Sequence, residues 1–191
     1  RLFEYEVVVR ADDDTIEVDH LLGMNVHIKM EASDERKRWF HGLVAAVAIE
    51  GTATIYRDYR LTLRPWLWLA TLSTNIRIFQ EMTAPDIIKE VLGAYTGTVT
   101  DELSATYPTR TYCVQYRETD FNFVSRLMEE EGIAYFFRHS DSAHDLVLAD
   151  DTSSNHAATG FETIRYLEGK QGTPEDRIID RWHARRELQS G

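Results

Sequence analysis

Cysteine is almost missing from this sequence: Cys113 is the only one among 191 residues. No intramolecular disulfide and no cysteine-rich zinc site can form within the chain. It suits a reducing compartment, or one where no bridge is needed. Positive charge is also scarce. Lys and Arg number 21 against 32 Asp and Glu, a net charge of −11. That field opposes nucleic acids and anionic membranes unless the basic residues segregate. Arg36, Lys37 and Arg38 do cluster, but they follow Ser33, Asp34 and Glu35 and read as a solvated hairpin tip. Nucleic-acid binding is therefore not expected. No run approaches the roughly 18 apolar residues of a membrane span, so stable membrane insertion is not expected either. The start, Arg1 to Tyr5, lacks a signal-peptide pattern and an initiator Met, and the end closes no element. The chain reads as a piece of something longer. It holds no internal repeat and no low-complexity tract.

What is there is ordinary globular material, 43% hydrophobic and 28% charged. The length allows one large domain or two small ones. Phe3, Tyr5, Val7 and Val9 alternate with Glu4, Glu6, Val8 and Arg10, the period-two signal of a half-buried strand. Asp12, Asp13 and Asp14 read as a turn. Val26, Ile28 and Met30 mark another strand, and 33–38 a polar loop. Residues 39–50 and 53–69 read as long strands around Gly51, the second interrupted at Pro65. On that reading Trp66 and Trp68 share one face, with Leu67 and Leu69 on the other. Residues 1–76 thus suggest a small antiparallel β-barrel or sandwich.

The character changes beyond residue 77. Thr83 can cap the amide of Asp86, and Pro85 suits the first turn of a helix. Ile87, Ile88, Val91 and Leu92 form its apolar face, and Gly93 suits its end. Residues 96–106 are polar and read as a loop. Tyr112, Val114 and Tyr116 then alternate with Cys113 and Gln115 as a strand. Thr119 or Asp120 caps a second helix, with Phe121, Val124, Leu127 and Met128 on its buried face and Gly132 at its stop. Residues 133–137 and 146–148 read as strands joined by a turn at 140–143. This α+β module covers 77–150. Residues 151–191 form a connector in which 178–187 is a strand or a short helix, either returning to the barrel or starting a second one. The expected class is α+β and β-rich, a small antiparallel β-barrel with an inserted or appended α+β module.

Catalytic signatures are missing from the sequence. There is no G-x-S-x-G, Walker loop, G-x-G-x-x-G or H-E-x-x-H. His139 and His144 flank a turn near Asp141 and Asp145, but their spacing matches no metal pattern and exposed hairpin side chains are the better reading. His20, His27, His41, His156 and His183 are scattered. Cys113 sits mid-strand with no visible base, as a small buried hydrophobe does. Glu129, Glu130 and Glu131 oppose the helix dipole, and Arg126 can offset them from the preceding turn. They read as a solvated helix end, with contact to a basic partner as the alternative. Trp66, Trp68, Tyr112, Tyr116 and 135–137 read as core or interface aromatics. No catalytic, cofactor-binding or metal-ligating set emerges, so the chain is not expected to be an enzyme.

One long run is specific. Residues 110–137, R-T-Y-C-V-Q-Y-R-E-T-D-F-N-F-V-S-R-L-M-E-E-E-G-I-A-Y-F-F, closely resemble VgrG proteins, the spike proteins of type VI secretion systems. Leu21-Leu22-Gly23, Trp39-Phe40-His41-Gly42, Tyr59-Arg60-Leu61 through Leu69, and Ile78-Phe79-Gln80 through Ile88 agree, so the resemblance covers nearly the whole chain. It implies a phage tail-hub-like fold of small β-barrels with α+β insertions. It implies a homotrimeric ring joining the Hcp tube to a β-helical needle. A PAAR-type tip protein or effector would ride on the needle, which this sequence does not contain. The protein would assemble in the cytoplasm and be ejected, hence secreted, toward a target cell by the contractile injection machine.

The same resemblance marks Trp66, Trp68, Tyr112, Gln115, Tyr116, Glu118, Asp120, Phe121, Arg126, Glu130 and Gly132 as motif residues. They are expected to hold the α+β module together rather than to bind a ligand. A hub subunit should also leave part of its β-rich surface apolar and uncovered in the monomer. Three other readings stay open: a phage or prophage baseplate hub, a hydrolytic effector, and a generic binding module.

Overall fold

Strands whose side chains alternate between apolar and charged open the chain. The computed structural model describes residues 1–12, 16–31, 37–50 and 56–151, together with 163, 165, 166, 178 and 179. β1 (Tyr5–Ala11) is followed by a single helical turn, α1 (Val18–Leu21), then β2 (Asn25–Glu31), β3 (Lys37–Glu50) and β4 (Arg57–Arg64). The four strands form one sheet in the order β1-β4-β3-β2. β4 runs antiparallel to β1, from Tyr5↔Leu63 to Ala11↔Arg57, and antiparallel to β3, with a bulge between Val44 and Ala46. Charged pairs link neighbouring strands. Arg10 donates two bonds to Asp58, at 2.7 and 2.9 Å, and Arg60 pairs with both Glu6 and Glu50. Exposed pairs like these contribute at most about 1 kcal/mol each. Leu43, Val44, Tyr59 and Leu63 are buried. At Gly42 the packing is close: a Cβ there would lie 3.0 Å from the Cβ of Leu63, and one of the two would have to give way. The sheet gives the expected β-rich beginning; α1 was not expected.

The long strand expected over 53–69 is shorter than read. β4 stops at Arg64, and Trp66–Thr71 is a 3₁₀ helix. Pro65 has no N–H for a ladder, and the amide of Trp66 donates to a histidine ring instead of a strand. Trp68 N–H then bonds the carbonyl of Pro65 at 2.9 Å, and Leu72 N–H that of Leu69 at 3.0 Å. Trp66, Leu67 and Ala70 are buried while Trp68 is half-buried, which is helical and not alternating spacing. Gly51 and residues 13–15, 32–36 and 52–55 lie outside the described residues.

The α+β module follows. Its elements are β5 (Thr74–Phe79), β6 (Met82–Thr83), α2 (Ala84–Leu92), β7 (Val99–Glu102), β8 (Thr109–Arg110), β9 (Cys113–Thr119), α3 (Asp120–Glu131), β10 (Ala134–His139) and β11 (His144–Ala149). β5 crosses the expected division at 76/77. β5 pairs antiparallel with β9, and β6 with β8. β10 and β11 form the expected hairpin, closed by a bond from Ser140 N–H to the carbonyl of Ala143. β11 also pairs in parallel with β7, from Leu146↔Val99 to Ala149↔Glu102. β7 lies inside the stretch read as a loop. Val99 and Thr100 suit a strand but Asp101 and Glu102 do not, and pairing with the buried β11 extends it over all four.

Local chemistry sets the helix ends. Thr83 Oγ1 accepts from the amide of Asp86 at 3.3 Å, and Thr119 Oγ1 from that of Asn122 at 3.1 Å. α3 ends in a Schellman motif: Ile133 N–H bonds the carbonyl of Met128, Gly132 N–H that of Glu129, and Gly132 has φ +70°. The core joins these helices to the 3₁₀ helix and to β11. Leu67, Ile87, Ile88, Val91, Phe123, Val124, Leu127, Leu146 and Leu148 are all fully buried in it. Each such side chain contributes about 1.5–3 kcal/mol by leaving water. The buried face of α3 holds Val124, Leu127 and Met128 as expected, with Phe123; Phe121, expected on the same face, is half-buried on its flank. Cys113 is buried and free.

Arg1–Lys29 with Trp39–Ser154 make one compact unit, and Met30–Arg38 with Asn155–Gly191 a second. In the second, β12 (Arg165–Tyr166) pairs in parallel with β13 (Ile178–Ile179). Within the connector read over 151–191, Ile178 and Ile179 are strand, and 180–187 lie outside the described residues. Among the described residues, no helix is long and apolar enough to cross a membrane.

Candidate functional site

The two-stranded ribbon of β5 and β9 has one face inside and one outside. Phe79, Cys113 and Gln115 point into the core and are buried. Period-two alternation sends Ile76, Ile78 and Tyr116 the other way, where they are 62%, 59% and 62% exposed. Tyr112, just before β9, is 56% exposed. Ile76 lies directly across from Tyr116 and Ile78 from Val114, so the apolar surface is continuous across both strands. The ladder shifts register between Asn75 and Ile76, and the extra residue, Arg117, adopts a φ of 52°. A bulge of this kind re-aims a side chain. Here the Arg117 guanidinium lies 5.3 Å from the centroid of the Tyr116 ring. Tyr and Arg beside aliphatic side chains is the composition enriched in protein interfaces.

Behind the ribbon lies a buried polar support. The Asp120 carboxylate, 1% exposed, accepts from Asn75 Nδ2 at 2.9 Å, Arg77 Nη2 at 2.9 Å, Tyr95 Oη at 2.8 Å and Gln115 Nε2 at 2.8 Å. Its amide donates to the carbonyl of Ser73. Burial is the largest single influence on this acid and would raise it. The bonds from Gln115, Asn75 and Tyr95 and the charge of Arg77 together outweigh burial and leave it below the ordinary carboxylate value. An ionised carboxylate with four side-chain donors ties β5, β9 and α3 together.

The other motif residues brace the same module. Arg126 donates to Glu118 at 2.8 Å and Glu130 at 3.2 Å, and lies over the Phe123 ring. Arg110 bonds Glu130 at 2.8 Å and Glu131 at 2.6 Å. At the acidic end of α3, Glu130 and Glu131 are thus paired with two arginines, Arg126 as expected and Arg110 in addition. Trp66 is buried, stacked 6.5 Å from Tyr95. Trp68 takes Arg64 over its ring at 5.0 Å. Asp150, at the end of β11, accepts from Ala105 N–H, Ser104 N–H and Oγ, and Tyr107 Oη, which fixes the 103–107 loop and lowers its own pKa.

The histidines differ from expectation. His41 and His144 are buried, not exposed or scattered. His41 Nδ1 and His144 Nδ1 are 2.8 Å apart, and His139 accepts from the amide of His41 at 3.0 Å. Phe3, Phe40 and Phe137 surround the three rings. The hairpin reading would have placed His139 opposite His144, since the two are register partners. Nothing local pointed to His41. Beside His41 and His144 lies a cavity of about 150 Å³ lined also by Asn25, Trp66, Thr96 and Ser142. Among the described residues, no three His, Cys, Asp or Glu side chains are placed to hold a metal ion.

The phage tail baseplate hub (GPD) family matches residues 1–191. The type VI secretion system spike protein VgrG1c of Pseudomonas aeruginosa is 43% identical over the whole chain, which spans 26% of that protein. VgrG1b of the same organism is 42% identical, again over the whole chain and 26% of its own length. Among solved structures, the Escherichia coli c3393 protein, a type VI secretion component similar to the T4 tail proteins gp27 and gp5, superposes with a TM-score of 0.73. It is 25% identical, over 89% of this chain and 46% of that one. The chain therefore spans about a quarter of the curated relatives it matches.

Proposed function

The chain belongs to the phage tail baseplate hub family, and on that premise we propose that it is the hub portion of a type VI secretion spike. The observation that carries the proposal is the uncovered Ile76–Ile78–Tyr116 face, backed by the fully bonded Asp120. A rigid module with an apolar outer face is suited to contact other subunits. In this reading three copies close a ring by heterologous contacts. The ring seats on the Hcp tube, and the remainder of the protein carries the needle with its PAAR-type tip or effector. The protein then acts mechanically, not as an enzyme, and leaves the cell with the needle. The 43% identity to a spike protein supports this reading over a phage or prophage baseplate role.

Light scattering of the pure chain over a hundredfold concentration range tests the proposal. A trimer that grows with concentration, and that Ile78→Asp abolishes, supports it. A monomer throughout, with the variant unchanged, removes the ribbon face from the assembly.

A further inference from the structure

Three imidazoles meet where the four-stranded sheet touches the β10–β11 hairpin, and their bonds fix every ring proton. The amide of Trp66 donates to His144 Nε2 at 2.9 Å. A nitrogen that accepts carries no proton, so the proton of neutral His144 sits on Nδ1. That Nδ1 faces His41 Nδ1 at 2.8 Å, so His144 donates, His41 accepts, and the His41 proton sits on Nε2. The amide of His41 in turn donates to His139 Nδ1 at 3.0 Å. The His139 proton therefore sits on Nε2, 3.4 Å from Tyr5 Oη. Each ring has one lone pair, and each lone pair already holds an N–H.

We propose that His41, His139 and His144 form an acid-released latch between the four-stranded sheet and the β10–β11 hairpin. A proton added to His144 Nε2 would face the Trp66 amide. One added to His41 Nδ1 would face the proton of His144, and one on His139 Nδ1 would face the His41 amide. No ring can become charged without breaking one of these bonds: those of His41 join the sheet to the hairpin, and that of Trp66 joins the 3₁₀ helix to it. The enclosing Phe3, Phe40 and Phe137 rings offer no polar substitute.

Around His41 and His144 the described charges are like-signed or already paired. From β2, His27 acts on His41 as a like charge. From β1, Glu4 and Glu6 are paired with Arg64 and Arg60 of β4. From β10, Arg138 is paired with Glu102 of β7. Asp141 is exposed in the turn, and Asp145 is half-buried on β11. Among the described residues, no carboxylate hydrogen-bonds to His41 or His144. Burial, then the like charge that His41 and His139 would carry if protonated, holds His144 at about 3 against an ordinary 6.5, and burial lowers His41 too. The latch stands whether or not the chain works in a spike.

Nitrogen-detected NMR of the labelled chain reads the tautomers directly. Expected at pH 7.5 are a protonated Nδ1 in His144 and a protonated Nε2 in His41 and His139. On lowering the pH to 5, exchange of the Trp66 and His41 amides, corrected for the intrinsic rate, should accelerate about tenfold or more while α2 and α3 hold. His144→Gln keeps an acceptor for the Trp66 amide and has no proton to gain, so it should flatten the pH response. If that variant does not fold, the wild-type tautomers and exchange rates still decide. The opposite tautomer in His144, or a ring titrating near 6.5 with exchange unchanged, overturns the latch.

Discussion

Gln115 and Asp120 face each other across 2.8 Å in a site closed to solvent, one at the middle of β9 and the other at the first turn of α3. Three further donors converge on the same carboxylate. Asp120→Ala leaves Arg77 without its anion beneath the sheet. We expect a loss of about 3–5 kcal/mol, the cost of breaking a buried charge pair. Urea unfolding checks it, and a loss below about 1 kcal/mol would show that water replaces the carboxylate.

Phe123 and Phe121 should separate clearly. Phe123 is fully buried and stacked 5.6 Å from Phe79, while Phe121 only flanks the core. Phe123→Ala should cost about 3–5 kcal/mol and Phe121→Ala about half as much. Equal losses would place both rings in the core.

Parts of this contrast were legible in the sequence and parts were not. Thr83, Thr119 and Gly132 were readable because a cap depends on neighbours within one turn. α3 was readable as a helix, and Val124, Leu127 and Met128 of its expected face are buried; Phe121 and Phe123 both fit the period, and packing against Phe79 chose between them. The Trp66–Leu69 alternation fits a strand as well as a 3₁₀ helix, and the choice fell to Pro65 and the distant His144. β5 and β7 owe their conformation to β9 and β11, which no local pattern reveals. The ribbon face was expected only as apolar surface somewhere. The histidine junction was missed because His41 lies far along the chain from its two partners.

Gly132 has φ +70°, a region costly for side chains with a Cβ. Gly132→Ala meets open space, so strain alone acts. A loss of about 1 kcal/mol is expected in thermal unfolding; none would mean that the C-terminal turn of α3 relaxes freely.

Acid should weaken the fold in two stages. His144 and His41 have lowered folded values, so below the ordinary 6.5 the unfolded chain binds protons that the folded chain refuses. For His144 stability is complete above the ordinary value and declines as pH falls toward about 3, by up to about 1.4 kcal/mol per pH unit, and His41 acts in the same direction. Asp120 is also lowered. Its contribution is complete above the ordinary 3.8 and is lost as pH falls through its lower folded value. Urea midpoints should be level above pH 7 and fall between 6 and 5. A level profile down to pH 5 would mean that the rings accept protons in place.

The ribbon face makes the opposite kind of prediction, one in which stability barely moves. Ile78 and Tyr116 are more than half exposed and point away from the core. Ile78→Asp or Tyr116→Ala removes little buried area, so unfolding should change by less than about 0.5 kcal/mol. An aspartate on that face would have to be desolvated wherever another subunit covers it, which costs several kcal/mol if it stays unpaired. Self-association should therefore fall sharply in Ile78→Asp while the monomer stays folded. Comparing sedimentation with thermal unfolding on the same variant separates the two effects. A variant that lost stability in step with association would show that the face serves the fold and not the assembly.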